Sequence, residues 1–474
     1  RKKSRTQPTT IAERGDSMAD KMNICLINDS FPPLIDGVAN AVLNYASIIQ
    51  KEYGNATVAT PYYPGADDSV YPYKVVRFPS IDTTKLVGYR AGFPFSAETL
   101  EEIQAQNIDL IHTHCPITST FLARTLRDTI DAPVVLTYHT KFDIDIANAI
   151  RGRLLQKSAI KALVENISAS DEVWAVSRGA GENLRSIGYT GDYVVMENGV
   201  DIPKGRVSKE AVAKATMGFD LPESVPLFMF VGRMVWYKGL RCIIEALAEL
   251  AAKGRDFRMV FIGGGTDKDG AEALAEQLGI GERCIFTGAI YDRDTIRAWY
   301  CRGDLFLFPS EFDTNGLVVR EAAACGLGSM LIEGSCAAEG IEDGETGFLI
   351  KNSSADMAAK LLELLRHPEI MRTVGENAMN RIYISWEDSV KHAAERYRVV
   401  LDNYRSGKYE RRRKFTDEWF KMNGEFLEGI AKAQEFTERT PEEVKKRAET
   451  VLSELSEKYG ELKEGIAQRF DRYL

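Results

Sequence analysis

Two short stretches of this 474-residue chain carry charged residues in a pattern suited to phosphate and sugar chemistry. In VGRMVWYKGL (231–240) an apolar run ends in a Gly-Arg turn, and Lys238 follows Arg233 after four residues. A guanidinium and an ammonium set together can neutralise a departing diphosphate without a metal ion. In PSEFDTNGLVVREAAACG (309–326), Asp313 and Glu321 flank the loop Thr314-Asn315-Gly316-Leu317, which opens a helix. Gly316 and Leu317 can present backbone N–H groups to phosphate or sugar oxygens, and a helix N-terminus favours anions there. Glu321, two turns along, can accept hydrogen bonds from ribose hydroxyls, and Asp313 from those of a transferred sugar. Surface cations and a helix-capping aspartate are the plainer account of such residues. It loses ground because both segments sit at strand ends and the AAACG after Glu321 is too apolar for an exposed helix.

Further candidates lie in the first half. Asp36-Gly37 in NDSFPPLIDGVANAV follows a strand and precedes a helix, so Gly37 can let backbone N–H groups approach an anion; a plain turn glycine is the commoner meaning. His139 in LTYHTKF ends a strand and is expected to face the reacting centre. His112, His114 and Cys115 in DLIHTHCP have no usual metal-ligand spacing, so the two histidines are read as strand-end packing and no metal is assigned. Asp143-Ile144-Asp145 follows no strand end and reads as a solvated loop, and Gly263-Gly264-Gly265 as a tight turn.

The elements that must position these residues are short apolar runs alternating with helical stretches. Candidate strands in the first half are 22–28, 56–60, 74–78, 110–113, 134–138, 172–176 and 193–196. The second half offers 227–231, 258–262, 283–286, 305–308 and 329–332. Near-continuous apolar strands between helices specify parallel sheets covered on both faces. Two such series, divided near 200–222, make an α/β chain of two doubly wound Rossmann-like domains, with ligands at the carboxyl ends of the strands. Residues 352–405 read as helices. The 410–474 segment has no β signal: Arg411-Arg412-Arg413-Lys414 precede Phe415, Trp419 and Phe420, and Thr440-Pro441-Glu442-Glu443 opens an apolar helical stripe from Val444 to Phe470.

Composition narrows the classes. A formal net charge of −9 argues against a general nucleic-acid binder. Seven cysteines without a CxxC pair indicate reduced thiols and a cytoplasmic setting. No run has the length of a membrane span or the form of a signal peptide, and the polar residues 1–21 read as a disordered leader.

With these residues in hand, the chain resembles the family 4 glycosyltransferases, retaining enzymes of the GT-B architecture. The resemblance spans about residues 22 to 405 and rests on ordered motifs, among them FPPLIDGVAN, HTHCP, LTYHT, VWAVS, ENGVD, VGRMVWYKG, FIGGG, FTGAI and EGIEDGETGFLI. It implies an acceptor-side domain at 22–200, a nucleotide-sugar domain at 201–385 and a crossover helix at 386–409; the helical extension at 410–474 lies outside it. By that analogy Arg233 and Lys238 bind the diphosphate of a UDP-hexose donor, Glu321 its ribose and residues 313–317 its sugar. Gly37 approaches the phosphate and His139 the reacting sugar. No other cofactor is implied. Asp313 stands where the family usually has Glu, and Asp36 where a first Gly is common.

The acceptor stays open between a membrane lipid such as diacylglycerol and a soluble or polymeric saccharide. Lys141, Arg151, Arg153, Lys157 and Lys161, interleaved with apolar residues, suit an anionic membrane face, and equally the solvated side of a core helix. An epimerase on the same architecture and a silent sugar-nucleotide binder are the competing classes. The C-terminal stripe offers a homodimer contact.

Overall fold

The computed structural model describes residues 21–83, 90–94, 96–143, 146 and 152–409. The leader, most of the Asp143–Asp145 segment and the whole 410–474 extension therefore lie outside the described residues, as does the dimer contact expected there.

The first domain contributes β1 (Met22–Ile27), β2 (Gly54–Pro61), β3 (Lys74–Phe78), the small ladder β4 (Ser80–Ile81) with β5 (Ala91–Gly92), then β6 (Leu110–Thr113), β7 (Val134–Tyr138), β8 (Glu172–Ala175) and β9 (Val194–Val195). The second contributes β10 (Leu227–Val231), β11 (Arg258–Ile262), β12 (Cys284–Gly288), β13 (Leu305–Phe308), β14 (Ser329–Ile332) and β15 (Phe348–Ile350). Six helices matter below: α1 (Gly37–Ile48), α2 (Arg178–Ser186), α3 (Leu240–Ala252), α4 (Arg293–Arg302), α5 (Leu317–Ala324) and α6 (Trp386–Arg405).

The first sheet runs β3-β2-β1-β6-β7-β8-β9 and the second β12-β11-β10-β13-β14-β15. Every neighbouring pair in both is parallel, as near-continuous apolar strands require. The expected pair of doubly wound Rossmann-like domains is present. Strand order reverses between β1 and β6 in one sheet and between β10 and β13 in the other, and such reversals open a crevice at the strands' carboxyl ends. Arg233 follows β10 and Asp313 follows β13; Gly37 follows β1 and His114 follows β6. The topology thus gathers four segments, far apart in sequence, at two facing crevices.

The last described helix closes the first domain rather than the second. Ser385 caps α6 by accepting from the Asp388 amide, with Glu387 and Asp388 favourably placed in its first turn. Trp386, Val390, Ala393, Tyr397 and Val400 pack with Met22, Ile24, Leu26 and Trp174 in one cluster. The Tyr397 ring stacks on Trp174 at 5.2 Å, and Arg396 grips Glu172 through two bonds of 2.6 and 2.8 Å. Each large side chain so buried contributes roughly 1.5–3 kcal/mol, so α6 belongs to that core.

Candidate active site

On the second domain's side, the charges are paired before any ligand arrives. The Lys238 ammonium lies 2.6 Å from Asp313 Oδ2, with side chains 13% and 15% exposed, and 5.3 Å from the Phe308 ring. The lysine is held there from behind: Gly239 has φ +85°, and a Cβ on it would fall 2.2 Å from the Pro309 carbonyl oxygen. Only glycine lets the strand-β10 loop lie so close to the strand-β13 loop. Asp313 Oδ1 accepts from the amides of Asn315 and Gly316 at 3.1 and 2.6 Å. Burial pushes this carboxyl up, but the Lys238 charge and the hydrogen bonds outweigh it and hold the carboxyl below its usual range. Asp313 is therefore an anion that caps a loop and pairs a lysine; three of its roughly four acceptor positions are already used.

Gly316, in the left-handed region at φ +60°, is the N-cap of α5, and no side chain caps that helix. Its first-turn amides, Leu317 and Val318, point out of the helix end with no intrahelical acceptor. Arg233 is exposed and donates to the Tyr237 hydroxyl at 3.0 Å, while Tyr237 meets Phe312 edge-on at 6.2 Å. Beneath it, the Met234 amide donates to the Gly264 carbonyl at 2.8 Å, which sets the triple-glycine turn against the Arg233 loop. Thr314 reaches across to the first domain, its carbonyl accepting from Ser177 Oγ at 2.6 Å. Asn315 is buried, with neither side-chain amide atom hydrogen-bonded. Glu321 is engaged at both oxygens, by Arg293 at 2.6 Å and by the Tyr300 hydroxyl at 3.1 Å.

The first domain's side is furnished differently: a carboxylate fills its helix end, and the buried rings beside it are uncharged. Asp36 caps α1, its Oδ1 accepting from the Val38 and Ala39 amides at 2.8 and 2.7 Å. The amides expected to meet an anion beside Gly37 are thus filled by the chain's own carboxylate, and a phosphate there must displace Asp36. A Cβ on Gly37 would meet nothing within 4 Å, so no crowding demands glycine. His139 is buried, with Nε2 3.0 Å from His114 Nδ1. His112 joins Tyr397 and Thr137 through its two nitrogens at 2.6 and 2.7 Å, which bears out its reading as packing. Burial drives the His139 pKa down to about 3 and lowers those of His112 and His114 well below the ordinary value. All three are neutral imidazoles near pH 7. Among the described residues, no group of three or more His, Cys, Asp or Glu side chains is arranged to hold a metal ion.

Sequence reasoning passed over several participants. Asp29, at the end of β1, accepts from the Thr118 and Ser119 amides and so fixes the loop after β6; burial raises its pKa. Arg293 and Tyr300 hold Glu321 from one face of α4, seven residues apart, a two-turn spacing that was visible in principle. Glu339 accepts from the amides of Arg178 and Gly179 at the start of α2, tying the domains together. Nothing local marks Glu339 for that contact.

With this geometry in place, comparison with known proteins is decisive for the class. The family described as Glycosyltransferase Family 4 matches residues 35–204, and Glycosyl transferases group 1 matches residues 217–381. The chain belongs to these glycosyltransferases. Among curated relatives, it is 26% identical to the sulfoquinovosyl transferase SQD2 of Arabidopsis thaliana, over 77% of this chain and 70% of that one. It is 23% identical to an alpha-monoglucosyldiacylglycerol synthase of Streptococcus pneumoniae, over 64% of this chain and 70% of the relative. Among solved structures, Anabaena HepE in complex with UDP superposes with a TM-score of 0.64 at 18% identity, covering 80% of this chain and all of the other. This glycosyltransferase has the GT-B architecture, with its two crevices face to face.

Proposed function

We propose that this glycosyltransferase moves a hexose from a UDP-hexose to a hydroxyl of a membrane lipid such as diacylglycerol, with retention at the anomeric carbon. The observation that carries the reading is the grouping at the β10/β13 reversal: an exposed Arg233, a Lys238 fixed by Asp313, and the uncapped amide end of α5. Three kinds of positive group converge where a diphosphate can lie. The donor's C1–O bond breaks, the electron pair leaves with the β-phosphate, and the acceptor oxygen bonds C1 on the same face. The acceptor's proton passes to the departing phosphate oxygen. Charge grows on that phosphate during the step, so donors fixed beforehand stabilise the transition state more than the ground state.

Glu321, oriented by Arg293 and Tyr300, takes the ribose hydroxyls. Asp313 holds Lys238 and the 313–317 loop, and the unpartnered Asn315 carboxamide of that loop takes the sugar. His139, neutral, offers Nδ1 to a sugar or acceptor hydroxyl. The lipid reading is supported by the curated relatives named above and by the helix Arg153–Ile167, which exposes Arg153, Lys157 and Lys161. Basic residues near an anionic bilayer contribute about 1 kcal/mol each, which favours the inner membrane face. No described helix is long and apolar enough to cross a membrane.

The test is incubation with labelled UDP-hexoses, with and without diacylglycerol vesicles, followed by product analysis. A labelled glycolipid that appears only with vesicles and vanishes in Arg233→Ala supports the reading. Label recovered in a soluble glycan or as an altered donor overturns the lipid acceptor or the transfer itself.

A further inference from the structure

One polar chain crosses between the domains and ends on Glu321. Arg293 opens α4, and besides its 2.6 Å contact to Glu321 its guanidinium comes within 3.9 Å of Asp201 Oδ2. Asp201 lies in the segment that joins the domains. Its two oxygens accept from Asn40 Nδ2 at 2.9 Å and Asn44 Nδ2 at 3.1 Å, side chains one turn apart on α1. The path α1–Asp201–Arg293–Glu321 is therefore continuous, from the helix beside Gly37 to the carboxylate assigned to the ribose.

Two physical points give that path a use. An ionised carboxylate has about four lone-pair positions. Arg293 and Tyr300 take one on each Glu321 oxygen, which leaves one on each for the two neighbouring hydroxyls of a ribose. Both contacts are made by the same Nη2, the nearer a hydrogen bond to Glu321 and the farther a charge-to-charge approach to Asp201, so the guanidinium faces both carboxylates from one place. The Arg293 side chain is 45% exposed while that of Glu321 is 12%, so the arginine end of the pair stands open to water. What it supplies is orientation.

We propose that Arg293 is a positioning residue: it sets Glu321 for the ribose diol and, through Asp201, links the occupied nucleotide site to α1 of the first domain. The inference rests on the ribose role of Glu321 given above. Nucleotide binding and the seating of α1 then favour one another, since coupling between sites is reciprocal.

The experiment titrates UDP, and separately GDP, into the full chain by calorimetry. It compares the wild type with Arg293→Met, Arg293→Lys, Asp201→Asn and the Arg293→Met/Asp201→Asn pair, and records donor KM, kcat and unfolding temperature for each. Arg293→Met is expected to weaken nucleotide binding about tenfold, the scale of one lost charge-assisted hydrogen bond. Donor KM rises in step while kcat holds and the chain stays folded, and Arg293→Lys recovers part of the loss. Asp201→Asn weakens binding less, and the double variant loses no more than Arg293→Met alone, because the two residues act in series. Unchanged nucleotide affinity in Arg293→Met, with the wild type binding normally, overturns this inference and leaves the donor reading intact. Full additivity in the double variant overturns the link to α1. A wild type that binds neither nucleotide overturns the donor reading and this inference with it.

Discussion

The two crevices of this glycosyltransferase are built on one topology and furnished in opposite ways. At the β10/β13 reversal, the helix end is left uncapped, a lysine is fixed by an aspartate, and an arginine stands in solvent. At the β1/β6 reversal, the helix end is filled by Asp36, and the nearby titratable rings are imidazoles kept neutral by burial. The same strand–loop–helix geometry thus leaves its amides open on one side and fills them on the other. That division suits a reaction in which one substrate carries a diphosphate and the other presents an uncharged hydroxyl.

The contrast is most exposed to attack at Lys238. Replacing it with alanine is expected to lower transfer about 10² to 10³-fold. It also leaves Asp313 buried without its partner, which costs roughly 3–5 kcal/mol of stability. Arg233→Ala should match the kinetic loss and leave the unfolding temperature where it was, since Arg233 is exposed. Turnover assays paired with thermal melts separate the two, and equal melts for both variants would break the distinction between a structural and a free cation.

The buried imidazoles are tested by pH. Unfolded imidazoles take protons near pH 6.5, whereas burial holds native His139 down to about 3 and lowers His112 and His114 further than an exposed histidine. The unfolded chain therefore binds more protons below pH 6.5. This stability is complete above about 6.5 and declines toward 3, by about 1.4 kcal/mol per pH unit for each such histidine. Urea midpoints that stay level from about pH 7.5 to about pH 5.5 contradict neutral buried imidazoles. The smallest effect is expected at Asp36: alanine there costs about 1 kcal/mol of helix capping. UDP affinity should not fall, because no ligand contact is lost and two amides are freed. A clear drop in calorimetric affinity would place Asp36 on the donor.

Much of this was open to reading from the residue string. Both sheets announced themselves as apolar runs long enough to span a buried layer. β15 escaped because three residues inside ETGFLI carry too little pattern. Arg233, Lys238, Asp313 and Glu321 stood out by charge and spacing, but what each one touches did not. The pairing of Lys238 with Asp313 depends on how two loops from adjacent strands abut, which Gly239 decides through a backbone contact. Asp36 was legible as a helix cap, an aspartate directly before a helical run, yet the glycine beside it drew the functional reading. The Asp201–Arg293 approach joins the interdomain segment to a helix of the second domain, so no local window contains it.

The return of α6 to the first sheet has a consequence for biosynthesis. Trp174 and His112 gain their Tyr397 neighbour only after the whole second domain has left the ribosome. The half that is made first is thus finished last, and a nascent chain halted before Trp386 must keep an open greasy flank from its neighbours until translation resumes.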